Sequence, residues 1–363
     1  VSWTVPGARL ARRSVPMWAA IAVGCSGETP VTHPPPPPVG PGRPFEMGFA
    51  PNAPRPDMQL FFDAVDSMSA VSEVTILQQP VPWPELLAGA SFDSLVEDRG
   101  GVADHLRAHG LDILFLVDPL DGLDRRAEDP GLVAAGRSIL EPEIRQIHED
   151  WVRAIASRVR PEWFGLASEI NTLAARGDPA LYAEIRDLIN TLAPQVRARA
   201  PGTRVFVSFQ VDEANGEFGL PPFDHYGLVD EFDVDAFGLS SYPVFVFDAP
   251  DDIPDDYFDA LRAATPLPLI FVEGGWSSAS TPATDGTPEE QADWVRRYAD
   301  LLERIDARLF ISLTFTDLDI GSLVLPPDRA ASLSNFAHMG IVDTELHRKP
   351  AYAAWQSTFE RGH

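Results

Sequence analysis

From residue 45 onward the chain repeats one pattern: a short apolar run, a loop, then a segment whose apolar residues recur at helical spacing. The runs cover residues 45–49, 74–77, 113–117, 163–167, 205–209, 236–240, 269–272 and 309–315. Most are nearly continuous rather than alternating, as strands covered on both faces by crossover helices must be. The intervening segments carry helix punctuation. Asp178-Pro179 places an N-cap and an N1 proline ahead of a stripe of Leu181, Ile185, Leu188, Ile189, Leu192 and Val196, and Gly202 follows its end. Thr287-Pro288-Glu289-Glu290 reads as a capping box for a helix that turns Val295, Tyr298, Leu302 and Ile305 inward. Residues 142–160 predict another, with Ile144, Ile147, Trp151, Ile155 and Val159 on one face. Eight such units in succession predict an α/β fold, a (β/α)8 TIM barrel over residues 45–358 as a single domain. No glycine-rich phosphate loop follows the first run, which argues against an open doubly wound sheet.

Composition narrows the chemistry. Hydrophobic residues make up 45% of the 363, enough for one large core and too many for a disordered chain. The balance of 28 basic against 54 acidic residues leaves a formal net charge of -26. Such a field repels phosphate backbones, so no nucleic acid is expected as a partner, polyanionic sugars are disfavoured as substrates, and neutral or cationic ligands remain. The single cysteine rules out an intramolecular disulfide and a multi-thiolate metal site within one chain. The eight histidines form no HExxH or HxH pair, and neither a metal, a cofactor nor a protein partner is implied.

The N-terminal segment has a separate logic. Arg9, Arg12 and Arg13 precede an apolar run over residues 15–23, and Ala22-Val23-Gly24-Cys25 closes it. A charged region, an apolar stretch too short to span a bilayer and small residues before a cleavage point make a secretion signal over residues 1–24. It resembles a bacterial lipoprotein signal, which implies lipidation at Cys25 and a protein anchored in the bacterial cell envelope, or otherwise secreted. Residues 25–44 include Pro34 to Pro38 in a row and predict an extended linker.

In a barrel of this kind chemistry belongs where strands run into the loops that follow them. The fourth run leads to Ser168-Glu169-Ile170-Asn171, the fifth to Gln210-Val211-Asp212-Glu213, the sixth to Ser241-Tyr242-Pro243, and the seventh to Glu273-Gly274-Gly275-Trp276. This rim is polar, acidic and aromatic, and no arginine stands beside either glutamate. Glu169 and Glu273 each end an apolar run and are expected to face the barrel mouth. Two carboxylates in a partly dry cleft have their pKa values pushed apart, so that one serves as acid while the other stays ionised. Retaining glycosidases need such a pair. Sugar faces stack on aromatic side chains, for which Trp83, Trp276 and Phe315 are candidates, with packing over the barrel as the competing role for each. Gln210 is placed either to bond a sugar hydroxyl or to brace its loop. The long loops 241–256, 277–287 and 316–335 are expected to wall the groove. The aspartates between 248 and 256 read as a solvated acidic loop, without the glycine and glutamate of a calcium loop.

Four stretches carry a resemblance to the clan-A glycoside hydrolases: Phe164 to Asn171, Gly238 to Pro243, Ile270 to Trp276, and the closing Gly340-Ile341-Val342-Asp343 with Lys349-Pro350-Ala351-Tyr352. Endo-β-1,4-galactanases are the members most similar in flavour. The resemblance implies retaining hydrolysis of a neutral β-linked polysaccharide or oligosaccharide, with Glu169 as acid/base, Glu273 as nucleophile and Tyr242 bonding the nucleophile. Two positions depart from the family pattern. Ser168 stands where most members have the asparagine that binds the sugar 2-hydroxyl, with Asn171 nearby to help, and Gln78-Gln79 supply no arginine after the second strand. A carbohydrate-binding lipoprotein on the same barrel, without turnover, is the alternative these departures leave open.

Overall fold

Eight parallel strands close on themselves in a computed structural model that describes residues 42–363. The leader, Cys25 and all of the proline-rich linker before Gly42 lie outside the described residues. The barrel strands are β1 (Glu46–Phe49), β2 (Val74–Pro80), β3 (Asp112–Asp118), β4 (Trp163–Gly165), β5 (Arg204–Gln210), β6 (Ala236–Ser241), β7 (Leu269–Gly274) and β8 (Leu309–Ser312). Each pairs with its neighbours in chain order, and β1 closes the ring against β8, with Glu46 opposite Leu309. Each of the eight apolar runs falls on a barrel strand, although the runs 163–167 and 309–315 outlast theirs, which end at Gly165 and Ser312.

The continuous apolar pattern has the expected cause. In β3, Leu114 and Leu116 point into the barrel with Val74, Ile76, Trp163 and Phe206, while Ile113, Phe115 and Val117 face the helical layer, and both sets are buried. Gly48 is required where β1 approaches β2, because a Cβ there would stand 1.8 Å from the Val74 carbonyl oxygen.

The helices obey their punctuation. Asp178 accepts from the N–H groups of Ala180 and Leu181 at the start of Pro179–Arg199, whose predicted stripe is buried throughout. Thr287 and Glu290 form the capping box of Pro288–Arg304. In Pro142–Val159 the inward position one residue past half-buried Ile147 belongs to His148, which is fully buried.

One element had no apolar run to announce it. After β3 the chain forms a two-stranded antiparallel hairpin, Leu120–Asp121 with Asp124–Glu128, above the C-terminal end of the barrel. Its residues are mostly charged, so hydrophobic patterning has nothing to register there.

Candidate active site

The carboxyl groups of Glu169 and Glu273 border one cavity of about 210 Å³ at the C-terminal end of the barrel, together with Gln210, Tyr242 and Arg125. Glu169 follows β4 at a left-handed φ of 49° and is not a glycine. That conformation costs roughly 1–2 kcal/mol. It persists because the Glu169 N–H donates to Ser208 Oγ at 2.9 Å and the carboxylate accepts from Ser240 Oγ at 2.6 Å. Glu273 lies within β7, opposite Ser240 of β6. Its Oε1 accepts the Tyr242 hydroxyl at 2.7 Å.

Between the two glutamates stands Arg125, carried by the hairpin. Its Nε lies 3.3 Å from Glu169 and its Nη2 3.8 Å from Glu273, while Nη1 pairs with Asp118 at the end of β3. The rim is therefore not without a cation: the arginine missing after β2 is supplied from a loop one strand further on. One guanidinium serves three buried carboxylates, so charge balance favours a proton on one of them. Burial, above all, raises the Glu169 pKa to about 7, Glu273 adds to the effect, and Arg125 and Ser240 act against it. At Glu273 burial again opposes the charge, while Arg125, Tyr242 and Gln78 favour it. The Tyr242 phenol is pushed well up by burial and by the charge of Glu273, so it stays a donor.

The remaining sequence-predicted residues divide. Gln210 lines the cavity and also braces its loop, donating to Asp212 at 2.8 Å and accepting from the Glu213 N–H. Ser168 does not reach the cavity; it is fully buried and bonds Ser208 Oγ at 3.1 Å. Asn171 is fully buried too, exchanging hydrogen bonds with the backbone of Gln210 and reaching His225. Trp83, Trp276 and Phe315 have no face open to a sugar. Trp83 stacks on His148, Phe315 packs edge-on to Phe49, and Trp276 lies wholly under its loop. For the three aromatic residues packing takes the place of the expected substrate contact, since large aromatic groups near a barrel rim gain more from burial than from exposure, while Ser168 and Asn171 spend their polar atoms on hydrogen bonds within the protein. The aromatic residues that do line the cavity are Tyr242, Phe245 and Phe336. Phe245 comes from the long loop 241–256, Ser332 from 316–335, and Phe336 stands just past the latter; Ser280 and Thr281 of the third loop border a separate cavity.

Glu213 is held by Arg176 and Thr172, and Asp212 accepts from Ser241, Tyr257 and the Tyr242 N–H; both are structural anchors. In the acidic loop Asp252 accepts from the Ala249 N–H and Asp255 pairs with Arg297. Among the described residues no group of three or more His, Cys, Asp or Glu side chains is placed to hold a metal ion.

No protein-family model matches the chain, and no curated protein is similar to it in sequence. Solved structures do share its fold. A GH5_18 protein of Streptomyces cattleya, solved with Manβ1-4GlcNAc, is 15% identical over 87% of this chain and 80% of its own, with a TM-score of 0.64. An exo-β-1,4-mannosidase from Opitutaceae bacterium strain TAV5 is 14% identical at a TM-score of 0.63, and the match covers 86% of this chain but only 58% of the mannosidase. The GH53 catalytic domain of Ignisphaera aggregans is 13% identical over 89% and 92% of the two chains, with a TM-score of 0.56. At such identity the likeness is one of fold, and the chain has the closed eight-stranded barrel of these glycoside hydrolases.

Proposed function

We propose that the protein is a retaining glycoside hydrolase acting on a neutral β-linked polysaccharide or oligosaccharide. The observation that carries this reading is the pair in one cavity: Glu169, with its pKa raised to about 7, and Glu273, which accepts from the Tyr242 hydroxyl and has Arg125 beside it. In the first step Glu273 attacks the anomeric carbon as the bond to the leaving oxygen breaks, and the Glu169 proton passes to that oxygen. In the second step ionised Glu169 takes a proton from water, whose oxygen displaces Glu273 from the sugar. The fold shared with glycosidases supports the reading.

One observation favours a second reading. The Ser168 hydroxyl is turned to Ser208 and away from the cavity, so the position the family uses for the 2-hydroxyl offers no contact. A carbohydrate-binding barrel without turnover fits that. The experiment is a screen of the purified protein against galactan, mannan, xylan and β-glucans, with Glu273→Ala as control. Turnover abolished in the variant supports the hydrolase; binding without turnover in wild type supports the binding protein.

The lipobox-like run ending in Cys25 supports export and lipid anchoring at the bacterial envelope. Palmitate labelling in a lipoprotein-processing host, lost in Cys25→Ala, is the result expected; labelling that survives the substitution overturns it.

A further inference from the structure

One contact ties two loops together across the barrel mouth. Asp121, in the hairpin after β3, accepts two hydrogen bonds from the guanidinium of Arg329, at 2.7 and 2.9 Å. Arg329 belongs to the helix Pro327–Ser334 after β8. The pair is bidentate and only 12% of Asp121 and 29% of Arg329 is exposed, so it fixes two elements more firmly than a solvated surface pair does. Asp121 is itself held, accepting from the Leu123 N–H at 2.8 Å.

The strand order shows what the tie encloses. Around the ring β8, β1, β2 and β3 are consecutive. A link from the loop after β3 to the loop after β8 is a chord that leaves the ends of β1 and β2 on one side. The strands from β4 to β7 lie on the other with Glu169, and Glu273 borders the space on both sides. On the β4–β7 side is the cavity of about 210 Å³, edged by Gly122 and Leu123 beside Asp121 and by Ser332 beside Arg329. On the β1–β2 side, between Pro51, Gln78, Gln79 and Glu273, only about 40 Å³ remains. By the same measure that is about a fifth of the space on the other side, so this sector is much the narrower of the two.

The chemistry orients the substrate in this space. Glu273 must face the anomeric carbon and Glu169 the leaving oxygen, so the chain runs from the glycone at Glu273 toward the leaving group at β4. Any sugar beyond the glycone heads away from Glu169, into the sector behind the tie. Resting on the hydrolase reading, we propose that the Asp121–Arg329 tie makes the site a one-ended pocket for the non-reducing terminus of a neutral β-linked chain. It releases single sugars and does not cut chain interiors.

The test uses reduced manno-, galacto-, xylo- and gluco-oligosaccharides and their parent polymers. Wild type is expected to release monosaccharide alone, with no fall in polymer viscosity. Release of disaccharides or longer pieces overturns the one-ended pocket and leaves the hydrolase reading intact. Arg329→Ala, with Asp121→Asn as the second variant should the first misfold, is expected to gain longer products. A folded variant that still yields only monosaccharide overturns the role of the tie. Where wild type turns over nothing, calorimetric titration of the same oligosaccharides decides. Binding lost when a bulky acetal caps the non-reducing end, but kept when the reducing end is extended, upholds the pocket and overturns hydrolysis. Binding indifferent to the cap, or no binding at all, overturns the pocket.

Discussion

Arg125 reaches Glu169 from the hairpin after β3, its Nε 3.3 Å from Oε2, and brings to the pair a positive charge that neither glutamate's own strand end contains. The same guanidinium favours the ionised form of Glu273. Replacing it with a neutral residue should therefore raise both pKa values and move the whole pH–rate profile to the alkaline side. With Arg125→Met, kcat/KM should also fall by about 10²–10³, as when one preorganised electrostatic group is removed from an enzyme site. Asp118 would then be buried without its partner, so Arg125→Lys is the companion variant: it keeps the charge but not the fork that serves three carboxylates. A profile unmoved in Arg125→Met, with kcat/KM equal to wild type in both variants, removes Arg125 from the machinery.

Why Arg125 escaped the sequence while the glutamates did not is a matter of what each signal measures. Glu169 and Glu273 each interrupt an apolar strand at its end, and a barrel puts such positions at its mouth. Arg125 sits in a stretch, residues 121–128, where charged residues dominate, which reads as solvated surface. A usable signal was nonetheless present. Asp118 ends the apolar β3 run and is buried, and a buried acid demands a cation, of which Arg125 and Arg126 are the nearest along the chain. The aromatic residues failed for the opposite reason. Trp83, Trp276 and Phe315 have the residue type that stacks on sugars, but type does not distinguish an exposed face from a packed one, and Phe336 is separated from the other cavity residues by far more chain than local patterning spans. The barrel itself was legible because strands buried on both faces leave an uninterrupted apolar record.

Tyr242 donates to Glu273 at 2.7 Å and is buried. Its removal as Tyr242→Phe leaves Oε1 without that donor while the ring still packs against Phe336 at 5.1 Å between centroids. The lost hydrogen bond should raise the Glu273 pKa, moving the acid limb of the pH–rate profile upward. Turnover should drop roughly tenfold or more, since a hydrogen bond to a charged group contributes about 1.5–3 kcal/mol. Thermal stability should change less than in Tyr242→Ala, which also opens a cavity. A kcat/KM equal to wild type across the whole pH range would remove the hydroxyl from the reaction.

Asp212 organises the same tyrosine from behind. It is fully buried and accepts from the Tyr242 N–H at 2.6 Å, from Gln210 at 2.8 Å, and from the hydroxyls of Tyr257 and Ser241. Asp212→Ala strands these donors in the core, and chemical denaturation should show a loss of about 3–5 kcal/mol. Asp212→Asn keeps the shape but brings donors where acceptors are needed, so it should recover only part of that loss. A denaturation midpoint equal to wild type in Asp212→Ala would show that the network does not hold the β5 and β6 ends together.

Glu169 links stability and activity to one titration. Its pKa rises from an ordinary 4.5 to about 7, chiefly because burial penalises the charge. A carboxyl shifted upward ionises first in the unfolded chain, so its contribution to stability is fully present below about 4.5 and is lost as pH rises through about 7. The size of the loss is on the order of 3 kcal/mol at most, from 1.36 kcal/mol per unit. Glu169→Gln carries no such titration, and its melting temperature should gain on wild type across that window and run parallel to it outside. The same proton is the one given to the leaving oxygen. Turnover of an unactivated substrate should therefore fall above pH 7 with a basic limb at the pH where the stability difference levels off. With an aryl glycoside, whose leaving group needs no acid, Glu169→Gln should stall after the first step, and azide should restore turnover by attacking without a base. The product is then a glycosyl azide with the configuration of the substrate. If the basic limb stays in place in Glu169→Gln, it belongs to another group. Asp129, raised to about 6 mainly by burial, is the first to examine, and coincidence of the two curves in wild type alone would no longer count in favour of Glu169.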